Sequence, residues 1–124
     1  MTKILVVEDE PLLRIMAEDV VLTLGHEAVG AEDGSQAIAV AEASPELEVL
    51  VTDVNLGSGP TGWEVASSIR QTHPTILVIY TSGLASAHDH SRHGVMDSIF
   101  LAKPYAPEEL ADAIRSFLAS LGGR

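Results

Sequence analysis

The chain has 124 residues, 46% of them hydrophobic and 20% charged, the balance of a single globular domain covering residues 1–124. A formal charge of −11 disfavours nucleic acid as a direct partner, since such binding leans on Lys and Arg. No apolar run approaches the roughly 20 residues of a membrane helix, no signal peptide is expected before the first strand, and the absence of cysteine excludes disulfides and thiolate metal sites while fitting a cytoplasmic location.

Ile4 to Val7 is a continuous apolar run, as expected of a strand covered on both faces. Pro11 suits the first turn of a helix that would carry Leu13, Met16, Ala17, Val20 and Leu24 on its inner side, with Gly25 as its stop. His26 to Ala31 reads as a short second strand, and Asp33-Gly34-Ser35 turns into a helix with Ala37, Ile38, Val40 and Ala41. Pro45 ends that helix before a third strand, Val49 to Thr52, which closes on Asp53. The Gly-rich loop 57–62 leads into a helix through Trp63, Val65, Ala66 and Ile69. Pro74 follows, then the strongest strand signal, Ile76 to Tyr80. Ala85 to Gly94 is poorly patterned and suggests at most a short, irregular helix. Ile99 to Ala102 is a fifth strand, and a last helix runs from about Pro107 through Leu110, Ile114, Phe117, Leu118 and Leu121 to Gly122. Five strand–helix units in a chain this short imply a doubly wound, five-stranded parallel sheet with helices on both faces.

The acids fall at the strand ends. Glu8-Asp9-Glu10 follows the first strand and Asp53 closes the third, and ligands of open α/β sheets bind outside the carboxyl ends of the strands. Carboxylates gathered there repel one another unless a cation joins them, which asks for a hard metal ion and points to Mg²⁺ and phosphate chemistry.

An acidic pair after strand one, an Asp after strand three, a hydroxyl residue after strand four and Lys103-Pro104 after strand five resemble, in that order, the receiver domain of two-component response regulators. The resemblance spans Lys3 to Leu121 and implies a flavodoxin-like sheet of order 2-1-3-4-5. It implies Asp53 as phosphoacceptor, a carboxylate nucleophile forming an aspartyl phosphate. Mg²⁺ would be held by Glu8, Asp9, Asp53 and the backbone carbonyl of Asn55, with Asp9 a direct ligand and Glu8 acting largely through water. Glu10 reads as a charge facing the helix dipole. Lys103 would pair with the phosphoryl oxygens, or with the carboxylates before phosphorylation. The hydroxyl is Thr81 or Ser82; Ser82-Gly83 fits the family pattern better. Phe100, three residues before Lys103, matches the aromatic switch position, although a lone aromatic in a strand is also plain core. The same resemblance implies a cis Lys103-Pro104 peptide.

Departures are local. The loop after Asp53 has Gly57 where the family usually has Pro, and Gly62 falls one residue late, so a mobile loop is expected. His88, His90 and His93 have metal-like spacing, but without cysteine nearby they read as solvated loop histidines. Trp63 reads as helix packing or an exposed contact.

The leading function is a signalling module that takes a phosphoryl group from a histidine kinase or histidine phosphotransfer protein, later hydrolyses its own aspartyl phosphate, and presents an altered surface to a downstream protein or a second copy of the chain. It is a phosphoacceptor rather than a turnover enzyme. A degenerate receiver serving as a phosphorylation-independent scaffold is disfavoured by the intact acid, hydroxyl and lysine set. An Asp-nucleophile phosphatase of the dehalogenase type needs an Asp-x-Asp pattern after strand one, which Glu8-Asp9-Glu10 does not supply, and a dinucleotide binder needs a Gly-rich turn there, which Pro11-Leu12-Leu13 does not offer.

Overall fold

A computed structural model describes residues 2–84 and 87–122, with side chains through 120. Strands and helices alternate without exception: β1 (Lys3–Val7), α1 (Pro11–Thr23), β2 (Glu27–Ala31), α2 (Gly34–Glu42), β3 (Leu47–Asp53), α3 (Gly62–Thr72), β4 (Leu77–Ser82), α4 (Ala87–His93), β5 (Ser98–Ala102) and α5 (Pro107–Gly122). All pairings are parallel and the sheet order is β2-β1-β3-β4-β5, the doubly wound order expected from the sequence. The apolar strand runs follow from this arrangement, because a sheet sandwiched between helix layers must be hydrophobic on both faces. One face carries Leu5, Val7, Leu50, Val78 and Tyr80 against α2 and α3. The other carries Ile4, Val6, Val49, Val51 and Ile79 against α1 and α5.

Local chemistry sets the helix starts. Asp33 caps α2 by accepting from the Gln36 amide at 2.8 Å. Thr61 and Glu64 form a reciprocal capping box at the start of α3, satisfying donors that a helix N-terminus leaves orphaned. Glu10 occupies the N-cap position of α1 but makes no side-chain cap there.

Three sequence readings need correction. His26 is not in β2; its amide donates to Val21 O at 3.2 Å and belongs to the end of α1. Ile76 precedes β4, its amide being taken by His73 O in the turn after Pro74, while β4 runs on through Thr81 and Ser82 because Val54 N and Lys103 N donate to their carbonyls. The inner face of α1 is rotated: Ala17 and Val21 are buried, whereas Leu13 and Met16 stand 39% and 49% exposed. Leu12, Ile15 and Leu22 are exposed as well, so α1 is apolar nearly all round and periodicity could not fix its buried stripe. The weakly patterned segment does hold a helix, α4, although Ala85 at its expected start lies outside the described residues, as does the side chain of Leu121.

Candidate functional site at the carboxyl ends of the strands

Register brings the expected residues together. Val7, the last residue of β1, pairs with Ala31 and Thr52, so Glu8 emerges beside Asp53. Asp53 pairs with Thr81, and Ser82 with Ala102, which puts Lys103 one residue beyond the sheet on the same rim. The Lys103-Pro104 peptide is cis, as the resemblance implied.

Lys103 is the electrostatic centre. Its Nζ donates to Glu8 Oε1 at 2.7 Å and to Asp53 Oδ2 at 3.1 Å. The two carboxylates are nearly buried, with side chains 8% and 9% exposed, and the Lys103 side chain is 21% exposed. Burial pushes the Glu8 carboxyl up from its ordinary value; the Lys103 and Glu10 hydrogen bonds oppose this, and the Asp53 charge adds to it. For Lys103, burial works downward, but hydrogen bonds to Glu8 and Asp53 and their two charges outweigh it, so the ammonium is held above its ordinary range. The corner itself is braced: Glu8 Oε2 accepts from the Glu10 amide at 3.2 Å, and Arg14 Nη1 donates to Glu8 O at 2.8 Å.

Asp9 is exposed at the mouth, yet one oxygen each of Glu8, Asp9 and Asp53 lies within 4.8 Å of the others. Three hard oxygen donors with a single ammonium among them fit Mg²⁺, which takes oxygen ligands and keeps several of its waters. Ser82 is buried, and its hydroxyl oxygen accepts from Asn55 Nδ2 at 3.3 Å and from the Leu84 amide at 3.1 Å. Asn55 therefore stands at the rim with its side-chain amide turned to Ser82 rather than to Thr81. Phe100 sits half-buried on β5, next to Tyr80 in register.

Sequence reading missed one contact that shapes the site. Gly62, the first residue of α3, is buried so closely on Asp53 O that an added Cβ would overlap it and would stand 2.8 Å from Val54 Cα. Its amide donates to Val54 O at 2.8 Å. A glycine just after a good N-cap, where a better helix former is usual, was the available signal. The three histidines do not converge: His88 and His93 are exposed and His90 is half-buried among aromatic rings, contrary to the solvated loop expected for it. Among the described residues, Glu8, Asp9 and Asp53 form the one carboxylate or histidine group with metal-holding spacing.

A doubly wound sheet of this order, with acids at β1 and β3 and a lysine after β5 meeting on one rim, defines a flavodoxin-like receiver fold. The response regulator receiver domain family model matches residues 4–115, and the chain belongs to that family. It is 28% identical over 127 residues to a chemotaxis protein CheY homolog of Campylobacter jejuni, covering 98% of this chain and 95% of that protein. It is 26% identical over 118 residues to the phyllosphere-induced regulator PhyR of Methylorubrum extorquens, covering 94% of this chain, and 30% identical over 125 residues to the response regulator protein FleR of Pseudomonas aeruginosa, covering 98%. The chain spans 43% and 26% of the length of those two proteins. A receiver protein structure from Sinorhizobium medicae aligns with TM-score 0.89 at 30% identity, covering 95% of this chain and 94% of that one. The receiver domain of the hybrid histidine kinase CckA aligns with TM-score 0.80 at 28% identity over 94% of this chain and 98% of that one.

Receiver domains are signalling domains of two-component systems; they bind Mg²⁺ at an acidic pocket and interact with histidine kinases and downstream effectors. Among the described residues no helix is long and apolar enough to cross a membrane.

Proposed function

We propose that this chain is a phosphorelay receiver that accepts a phosphoryl group on Asp53 from a phosphohistidine of a kinase or phosphotransfer protein. The observation that carries this is the ammonium of Lys103 shared between Glu8 and Asp53, with Asp9 beside them. A carboxylate oxygen of Asp53 attacks phosphorus, the phosphorus–nitrogen bond breaks, and the imidazole leaves with the electron pair. Lys103 moves from carboxylate to phosphoryl oxygens and balances the equatorial charge of the transferring group. Glu8, Asp9, Asp53 and the Asn55 carbonyl would hold Mg²⁺, which would supply charge neutralisation to the same oxygens when bound. Hydrolysis reverses the state when water attacks phosphorus and Asp53 departs, at a rate set in part by the side chains at Asn55 and Leu84.

The donor must bring its phosphohistidine to the rim where Asp53 lies. The exposed Leu12, Leu13, Ile15 and Met16 of α1, the helix that begins at this rim, offer an apolar face for the carrier to cover. Phosphate on Asp53 draws the Ser82 hydroxyl toward it, Phe100 turns inward, and the surface of α4, β5 and α5 changes for a downstream protein or a second copy of the chain. Incubation with a phosphorylated histidine phosphotransfer protein and Mg²⁺ tests the reading. Label should pass to this chain and should not pass to Asp53→Asn; equal transfer to the variant contradicts it.

A further inference from the structure

α4 is seven residues long and none of its side chains is fully buried. Two of its rings face inward: His93 meets Trp63 at 5.9 Å, and His90 meets three rings. The imidazole of His90 lies between Trp63 of α3 and Phe100 of β5, with centroids 6.4 and 5.9 Å away and planes only 16° and 22° from parallel. The buried ring of Tyr80 meets its edge at 5.6 Å and 61°. Its Nε2 stands 2.8 Å from Ser98 Oγ. The Ser98 hydroxyl already donates to Val95 O at 2.6 Å, and a hydroxyl has one proton, so His90 Nε2 is the donor. Val95 N then donates to the Tyr80 oxygen at 3.0 Å. The chain of bonds thus ties α4 to β5 and, through the intervening turn, to β4. Gly94 fits the same design: a Cβ there would overlap the His90 ring, and its amide donates to His90 O at 2.8 Å.

We propose that His90 is the positioning residue that couples Phe100 to α4: while the imidazole stacks on Phe100 the helix stays on the sheet, and when Phe100 turns away the helix is released. This rests on the reading of Phe100 as the switch. It adds a proton-linked input to that switch. Burial pushes the His90 imidazole below its ordinary value of 6.5. The neighbours facing it are the uncharged rings of Trp63 and Tyr80, the Ser98 hydroxyl and Phe100; the charge of Arg70 on α3 acts on Tyr80 from a distance, His93 lies against Trp63, and Asp89 and Arg92 flank it on α4. A stacked ring that binds its proton less readily than a released one makes the stacked arrangement fully favoured above about pH 6.5 and progressively less so below it. Acid and phosphorylation therefore push the same equilibrium, and by reciprocity phosphorylation raises the proton affinity of His90.

Imidazole NMR titration of His90, with amide exchange at Gly94, tests this in the free protein and with beryllofluoride and Mg²⁺. Addition of the mimic should move the His90 midpoint upward and speed Gly94 exchange several-fold. In His90→Ala, Gly94 should exchange rapidly in both states while Asp53 still takes the mimic. An unmoved His90 midpoint with mimic bound, or a Gly94 response in His90→Ala equal to that of the native chain, overturns the coupling. If no mimic binds, the phosphoacceptor reading fails instead, and the acid arm decides. Lowering pH from 7.5 to 5.5 should speed Gly94 exchange, corrected for intrinsic rate, in the native chain and not in His90→Gln; equal acceleration in both contradicts the proposal.

Discussion

Glu8 and Lys103, 95 residues apart in the chain, meet at 2.7 Å on the rim of the sheet, and the same ammonium reaches Asp53 at 3.1 Å. One cation thus offsets two nearly buried carboxylates contributed by different strands. Removing it leaves both acids desolvated and mutually repelling, which is costlier than removing either acid. Lys103→Met should destabilise the metal-free protein by about 1–3 kcal/mol and push the Glu8 carboxyl still higher. Urea melts and carboxyl-carbon NMR titration measure the two effects; an unchanged Glu8 midpoint would show that Lys103 is not its partner in solution.

Glu8 also imposes a pH dependence of definite sign. Its folded carboxyl holds a proton more tightly than the unfolded one, so ionising it costs stability, and that cost is relieved as pH falls toward the folded value. Lys103 has the complementary behaviour: its raised value keeps its contribution complete through neutral pH and loses it only in strong alkali. Between pH 7 and pH 5 the native chain should therefore gain stability relative to Glu8→Gln. Parallel stability curves for the two proteins across that interval would contradict the assignment.

Binding of Mg²⁺ to the Glu8, Asp9 and Asp53 group should raise the melting temperature by linkage, worth about 2.7 kcal/mol at a hundredfold excess over the dissociation constant. Asp9→Ala should lose this response. Because it also removes one member of a repelling cluster, it should match or exceed the native chain in stability without metal. Calorimetric titration giving the same affinity in both proteins would place the cation elsewhere.

Gly62→Ala tests the support beneath the nucleophile. A methyl group there must displace the Asp53 carbonyl or the start of α3, since both are backbone and neither yields cheaply. A loss of about 1–3 kcal/mol is expected, together with shifted Asp53 and Val54 amide resonances. Native-like spectra and stability would mean that the helix start slides without disturbing the site.

The sheet was legible because β1, β3 and β4 carry short, largely apolar runs that a two-sided layer buries, and the convergence of the acids and lysine was legible because they fall at strand ends whose order the topology fixes. Ile4–Val7 and Asp53 needed no tertiary knowledge. The buried stripe of α1 did: with Leu12, Leu13, Ile15 and Met16 all apolar, only packing against β1, β2 and α5 selects Ala17 and Val21. The roles of Gly62 and His90 were hidden for the same reason. Their neighbours, Asp53 O in one case and Trp63, Tyr80, Ser98 and Phe100 in the other, come from distant segments that no local pattern brings together. The hydroxyls are an intermediate case: Thr81 and Ser82 are adjacent in sequence, and only the fold shows that Asn55 donates to Ser82.

The chemical location of the phosphoryl group is the most direct test of the whole reading. After treatment with acetyl phosphate and Mg²⁺, borohydride reduction cleaves an acyl phosphate and converts that aspartate to homoserine, which peptide mass spectrometry locates. Homoserine at position 53, present only after phosphodonor treatment and absent from Lys103→Met, is the expected result. Homoserine at Asp9, the hydroxynorvaline that the same reduction would give at Glu8, or stoichiometric phosphate with residue 53 still aspartate would contradict Asp53 as the acceptor.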